Sequence, residues 1–390
     1  MSDTPKLPAI APFDHEPRTR LVFGLDVVER VGELAAELCF KSPLLVTDPG
    51  VVAAGHAERV LKALRRLGIE AVVFDKVREN PSTRDVQECL QVAQAAKIDS
   101  IIGLGGGSSM DTAKGCNFLL TNGGRIQDYW GVGKATKEML PLIAIPTTAG
   151  TGSECQSFAL IADEETHQKI ACGDPKAAAR IAILDPGLTV SQPNRVAACT
   201  GIDALSHALE TAVTTRRNTL SLAYSREAFR LCSESLPRVF QDGKDLEARA
   251  GMLLGAALSG LAIENSMLGA AHAAANPLTA HFQIVHGQAV GMMLPWVVRF
   301  NAEQSETARI YETLCSGGIE KLVLRLDWIL NLAGMPRALA DCQVRREAIP
   351  SLAAEAAKQW TAAFNPRPVT EADFVRLYGE AFQPRGDGAA

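Results

Sequence analysis

Asp203 and His207 stand four residues apart in the run Gly201-Ile-Asp-Ala-Leu-Ser-His-Ala-Leu-Glu210. On a helix that spacing puts both side chains on one face, where they can chelate a single cation. The same pair can equally be joined by a plain hydrogen bond. Weight for a metal comes from a second cluster. The chain has only seven histidines, and His272, His281 and His286 fall within fifteen residues. Carboxylate and imidazole ligands together suit Fe, Zn, Co or Ni. Four protein ligands leave room for a substrate oxygen when the metal takes five or six partners, which iron does readily and zinc can do. Spacing by itself leaves open which histidine is spare.

A second kind of chemistry is written in Ser100-Ile-Ile-Gly-Leu-Gly-Gly-Gly-Ser-Ser-Met-Asp-Thr-Ala-Lys-Gly115. An apolar strand runs into Gly105, Gly106 and Gly107 and then into a helix. Glycines let backbone approach a ligand closely, and a helix N-terminus offers free N–H groups, so the junction suits a diphosphate. A simpler role is a turn followed by a capping box, with Ser108 as cap and Asp111 three residues on. Asp48 ends the strand-like run Leu44–Thr47. A carboxylate there can bind a ribose 2′-hydroxyl and repel a 2′-phosphate, or simply form the turn before Pro49–Gly50. The loop Pro146-Thr-Thr-Ala-Gly-Thr-Gly-Ser-Glu154 also follows a strand and offers small hydroxyl residues to a cofactor.

Elements must hold these groups in place. Strands are expected at 42–47, 71–74, 100–104 and 142–145, with helices near 51–67, 84–97 and 108–121 between them. Such alternation implies a parallel sheet covered by helices on both faces. A hairpin is expected from 158–162 and 169–172, and a last strand ends at Leu184–Asp185–Pro186. Beyond Pro186 the pattern is helical, over 194–213, 219–240, 244–264, 286–301, 320–334, 346–360 and 371–382. The boundary is therefore placed at Pro186–Gly187, giving a dinucleotide-binding domain over 1–186 and a helical metal-binding and substrate domain over 187–390.

Composition sets the outer bounds. At roughly 150 residues per domain, 390 residues allow two or three domains. Apolar residues make up 47 %, charged residues 21 %, and the formal net charge is -5, which gives no reason to expect nucleic acid or an anionic membrane as partner. Met1–Leu7 shows no secretory signal. The run Met252–Ile263 reads as a buried helix, too short to span a bilayer. The nine cysteines are scattered without a C-x-x-C pair, which fits a reducing cytoplasm.

Taken together, the motifs resemble those of the iron-containing (group III) alcohol dehydrogenases. The resemblance is carried by Gly105–Asp111, Pro146–Glu154, Asp203-Ala-Leu-Ser-His207, His286-Gly287 and Asn365-Pro366-Arg367, and spans roughly residues 20–385. It implies an α/β N-terminal Rossmann-like parallel-sheet domain, an all-α C-terminal domain (the dehydroquinate synthase-like fold) and an active site in the cleft between them. It implies metal ligands at Asp203, His207, His272 and His286. It implies NAD contacts at Asp48, Asn80, Gly106, Gly107, Ser108, Asp111, Thr147, Thr148, Thr151, Leu160 and Lys169. His281 is then left over. It lies nine residues past His272, two and a half helical turns, and would face away from it. Two departures stand out. Many members carry a histidine four residues after the third ligand, where this chain has Asn276, a candidate substrate contact that can hydrogen-bond but cannot titrate near neutral pH. Cys155-Gln156-Ser157 replaces Val-Thr-Pro-like residues.

The expected activity is hydride transfer between a small alcohol, diol or hydroxy compound and NAD, with Fe2+ or alternatively Zn2+ as Lewis acid. The reverse reaction reduces an aldehyde or ketone. Family members are often dimers or larger, so a homo-oligomer is expected. Rival readings are a dehydroquinate-synthase-like or glycerol-dehydrogenase-like enzyme on the same fold, or a nonenzymatic NAD-binding protein. The first of these needs several Lys and Arg around the ligands, where this chain has Ala, Leu, Asn and Gly.

Overall fold

A computed structural model describes residues 12–166 and 168–383. In the first half, strands and helices alternate. The order is β1 (Arg20–Phe23), α1 (Val31–Glu37), β2 (Pro43–Val46), α2 (Pro49–Ala53), α3 (His56–Arg65), β3 (Val72–Phe74), α4 (Thr83–Ala96), β4 (Ser100–Gly105), α5 (Gly107–Asn122), β5 (Gly131–Val132), β6 (Leu142–Pro146), β7 (Phe158–Ala162), β8 (Lys169–Gly173) and β9 (Ile181–Leu184). Six of these strands form one sheet in the order β1-β9-β6-β4-β2-β3, with every pairing parallel.

Its strands read as continuous apolar runs because both faces are covered. Leu44, Val46, Ile101, Leu142 and Ala144 pack with α4 and α5. Their neighbours Leu45, Ile102, Leu104, Ile143 and Ile145 pack with α1 and α3 on the other side. The expected hairpin forms, with Leu160 opposite Ala171. It gains a third strand, since β5 pairs parallel with β8.

The second half is helical: α6 (Asn194–Thr211), α7 (Thr219–Gln241), α8 (Leu246–Ser266), α9 (Ala270–Phe282), α10 (His286–Ala302), α11 (Ser305–Leu314), α12 (Gly318–Leu332), α13 (Ile349–Ala356) and α14 (Glu371–Glu380). One hydrophobic core runs through it, from Ala204 and Leu205 of α6 to Phe374 and Tyr378 of α14. At 21 residues, α8 is longer than its apolar run and is long and apolar enough to cross a membrane. Most of its apolar side chains are buried against other helices.

Several elements differ from the sequence expectation. The single helix expected over 51–67 is two, because Gly55 turns left-handed at φ 81° between α2 and α3. β1 and α1 are short and carry little periodicity; β1 is recruited as the edge partner of β9. α9 runs through Pro277, a residue that argues against a helix interior in sequence. All nine cysteines are free thiols, most of them buried as small core residues.

Candidate active site

The carboxyl ends of β2, β4 and β6 lie side by side in the sheet, the place where open α/β sheets bind ligands. Three loops leave from there, and they touch. Gly105 has φ 146°, and a Cβ on it would stand 2.3 Å from Ser109 Oγ and 3.1 Å from Asp48 Oδ2. Thr147 donates its backbone N–H to the Gly105 carbonyl at 2.9 Å. Asp48 forms the turn. Its Oδ1 caps α2 by accepting from the Val51 N–H at 3.0 Å, while Oδ2 faces the glycine loop. Asn80, exposed and left-handed at φ 53°, follows β3, the neighbouring strand.

The simpler capping box at Ser108 and Asp111 does not form. α5 starts earlier, at Gly107, so both residues are inside it. Gly106 is the N-cap, and no side chain caps the helix. Its first N–H groups are therefore left for a ligand. Gly106 and Gly107 also face the next loop: added Cβ atoms would meet Thr148 at 3.3 Å and Thr151 Cγ2 at 2.8 Å. Asp111 is buried and accepts from Ser153 Oγ at 3.0 Å; burial lifts its carboxyl to about 6, against the pull of Lys114. Lys114, unremarked in the sequence, is fully buried and donates to the carbonyls of Ser153, Gln156 and Phe158. It holds the 151–158 loop to α5. Leu160 is partly exposed on β7, and Lys169 of β8 lies near Asp111 and Asp203.

The 146–154 loop is wedged against the helical half. A Cβ on Gly150 would fall 2.3 Å from Thr200 Cβ of α6, and one on Gly152 would fall 2.7 Å from Gly260 Cα of α8. α10 is equally close to α6, since a Cβ on Gly287 would stand 2.0 Å from the Cys199 carbonyl. That approach brings His286 toward Asp203.

Three imidazoles converge on one carboxylate oxygen. Asp203 Oδ1 lies 3.5 Å from His207 Nε2, 3.4 Å from His272 Nε2 and 4.0 Å from His286 Nε2. These distances exceed ordinary hydrogen bonds. The His207 and His272 separations are close to those of ligands around a shared ion, since atoms each about 2.1 Å from a metal stand roughly 3.0–3.4 Å apart; His286 stands further out. Asp203, His207 and His272 offer ligand atoms all within 4.8 Å of one another. Asp203 Oδ1 and His272 Nε2 are buried without a hydrogen-bond partner. Burial pushes the His207 and His286 rings below the ordinary imidazole value. Burial would raise the Asp203 carboxyl, but the three surrounding histidines outweigh it and keep it ionised. The donor set thus fits a divalent cation.

Glu210 is the residue that sequence reading missed. Its Oε2 accepts from His272 Nδ1 and its Oε1 accepts from the Ala271 N–H at 2.6 Å. With Glu210 holding a proton on Nδ1, His272 would ligate a cation through Nε2, which faces Asp203. The signal was present: Asp203, His207 and Glu210 are spaced i, i+4, i+7, one helix face. Burial pulls the His272 ring down, but Glu210 and Asp203 outweigh it and lift it to about 9. Asn276, one turn after His272, is half-buried and donates Nδ2 to Gln359 Oε1 at 2.9 Å. His281 lies apart from the cluster, half exposed, and pairs with Glu355 at 2.8 Å.

Comparison with known proteins matches both halves. The sequence model of the iron-containing alcohol dehydrogenases covers residues 17–186, and that of the Fe-containing alcohol dehydrogenase family C-terminal domain covers 197–382. The NAD-dependent methanol dehydrogenase of Bacillus methanolicus is 33 % identical over 370 residues, covering 92 % of this chain and 97 % of its own. A solved 1,3-propanediol oxidoreductase superposes with a TM-score of 0.91 at 32 % identity, over 95 % of this chain and 100 % of its own. The sulfoacetaldehyde reductase of Bifidobacterium kashiwanohense, solved in complex with NAD+, gives 0.87 at 26 % identity, over 95 % and 99 %. The chain therefore belongs to the iron-containing alcohol dehydrogenase family and is an alcohol oxidoreductase.

Proposed function

We propose that the protein is an NAD- and metal-dependent dehydrogenase interconverting a small alcohol and its aldehyde or ketone. The observation that carries this reading is the convergence of His207, His272 and His286 on the partnerless Asp203 Oδ1. The NAD+ bound by one structural neighbour and the NAD-dependent name of one relative support the choice of cofactor.

Bound there, a divalent cation, Fe2+ or Zn2+, supplies Lewis acidity, and NAD supplies the hydride acceptor. Asp203, His207, His272 and His286 would hold the cation. Glu210 keeps His272 in the tautomer that can ligate. The uncapped start of α5 at Gly107 and Ser108 would take the diphosphate. Asp48 Oδ2 would accept from ribose hydroxyls and repel a 2′-phosphate. Thr147, Thr148 and Thr151 line the cofactor loop from the β6 side, and Leu160, Lys169 and Asn80 would border the cofactor from the smaller sheet and the β3 loop. Asn276 orients a substrate oxygen by hydrogen bonding and moves no proton near neutral pH.

The test is anaerobic loading with Fe2+ or Zn2+ followed by NADH absorbance on a panel of alcohols, diols and aldehydes. Turnover should require metal and should prefer NAD over NADP, and Asp48→Ala should narrow that preference. Metal binding with no turnover on any compound would return the chain to a nonenzymatic NAD-binding role. A wild type that prefers NADP would remove Asp48 from the ribose site.

A further inference from the structure

Both halves of the chain contribute an aromatic ring to one side of this cleft. Phe158 opens β7 directly opposite Gly173 of β8. A Cβ on Gly173 would fall 2.4 Å from Phe158 Cε1, so only glycine leaves room for the ring to lie there. Strand alternation puts Phe158 on the same sheet face as Leu160, and cross-strand register adds Lys169 and Ala171 to it. That face looks toward the ligand cluster, since the Lys169 charge acts on Asp203 and His286. On the helical side, Asn276 sits one turn past His272 and holds Gln359. The next residue, Trp360, stacks on Phe158 with ring centroids 5.7 Å apart and planes inclined by 24°. Phe364 meets Trp360 edge-on at 6.0 Å. Trp360 is 42 % exposed, and its stack on Phe158 joins the two halves.

We propose that the Phe158–Trp360 stack is the end wall of the alcohol pocket, beyond Asn276 and Gln359 as seen from the ligand histidine, and that the substrate is a short alcohol of a few carbons. The proposal rests on the alcohol-oxidation reading above. Phe158 and Trp360 present apolar ring surface to the far end of the chain, which suits an alkyl terminus, while the charge on this face, Lys169, acts on the ligand cluster. A longer chain must push Trp360 off Phe158 and part the two halves of the molecule.

Substitution at the wall tests this. In Trp360→Ala and Phe158→Ala, the ratio of kcat/KM for 1-octanol to that for ethanol should rise about tenfold or more over wild type. Trp360→Phe keeps a stacked ring and should hold the ratio within about threefold of wild type. An unchanged ratio in both alanine variants, or a wild type that already favours 1-octanol, overturns the proposal. Binding read by tryptophan fluorescence decides the wall without turnover. Phe158→Ala should bind 1-octanol about tenfold more tightly than wild type, and equal affinities overturn the wall. If fluorescence shows that length selection while no alcohol is oxidised, the assigned reaction fails and the wall stands.

Discussion

At the scale of single residues, the site is built around the Asp203 oxygen and the hydrogen bond behind His272. Glu210→Ala frees the His272 ring to rotate and to take the other tautomer. Metal affinity should drop about 10- to 100-fold, read by chelator competition, with Glu210→Gln less affected because it still accepts at Nδ1. Equal affinities in all three proteins would reduce Glu210 to a core residue. The two outlying histidines separate cleanly. His286→Ala should lose bound metal on dialysis. His281→Ala breaks only a half-exposed pair with Glu355, so it should keep its metal and lose less than about 1 kcal/mol of stability. Metal lost from His281→Ala would redraw the ligand set.

Glu154 adds a dependence on pH. It is buried with Oε1 unpartnered, and burial lifts it from 4.5 to about 7, against the opposing charge of Lys114. A carboxyl raised on folding favours the native state while protonated. That contribution is complete below the ordinary carboxylate range and is lost as pH climbs through 7. At pH 8 the ionised group costs up to about 3 kcal/mol. Glu154→Gln should raise the thermal midpoint at pH 8 and leave it nearly unchanged at pH 4. A parallel shift at both pH values would rule out ionisation of Glu154 as the cause.

Among the elements, the start of α5 packs closely on the 146–154 loop. Glycine at 107 is required first by Thr151, whose Cγ2 would be 2.8 Å from an added Cβ. Gly107→Ala should therefore cost ~1–3 kcal/mol of stability as well as cofactor affinity. Thr151→Ser removes the clashing methyl and should restore most of both in the double variant. If Thr151→Ser restores nothing, the restriction at 107 comes from the ligand alone.

Across the whole molecule, one carboxylate ties the N-terminal segment, the interdomain loop and the helical core together. Glu264, at the end of α8, accepts from the Ser157 N–H at 3.0 Å, from Ser157 Oγ at 2.7 Å and from Arg18 Nη1 at 3.1 Å. Glu264→Gln weakens these charge-assisted bonds, each worth about 1.5–3 kcal/mol. Amide hydrogen exchange at Ser157 and Phe158 should speed up, and the unfolding midpoint should fall. Unchanged exchange there would show that packing between the halves, and not Glu264, holds this loop. The same loop precedes Phe158, so the variant also loosens the wall facing the substrate.

Local pattern was enough for the parallel sheet, the helical second half, the glycine turn and the pairing of Asp203 with His207, because each depends on periodicity or on residues within one helical turn. It also carried the family, whose motifs are contiguous in the chain. Short elements escaped it: β1 and α1 carry too few residues for a period, and α9 was masked by Pro277. The tertiary structure alone decided what crosses between elements. Asp48 and Gly105 meet because β2 and β4 are neighbours in the sheet. Gly287 lets α10 close on α6, which carries His286 to Asp203. Phe158 reaches Trp360 only when the two halves close on one another. Glu210 shows the limit most plainly. Its helix face was legible, but its partner His272 lies 62 residues away, and a contact of that length is set by packing and not by spacing.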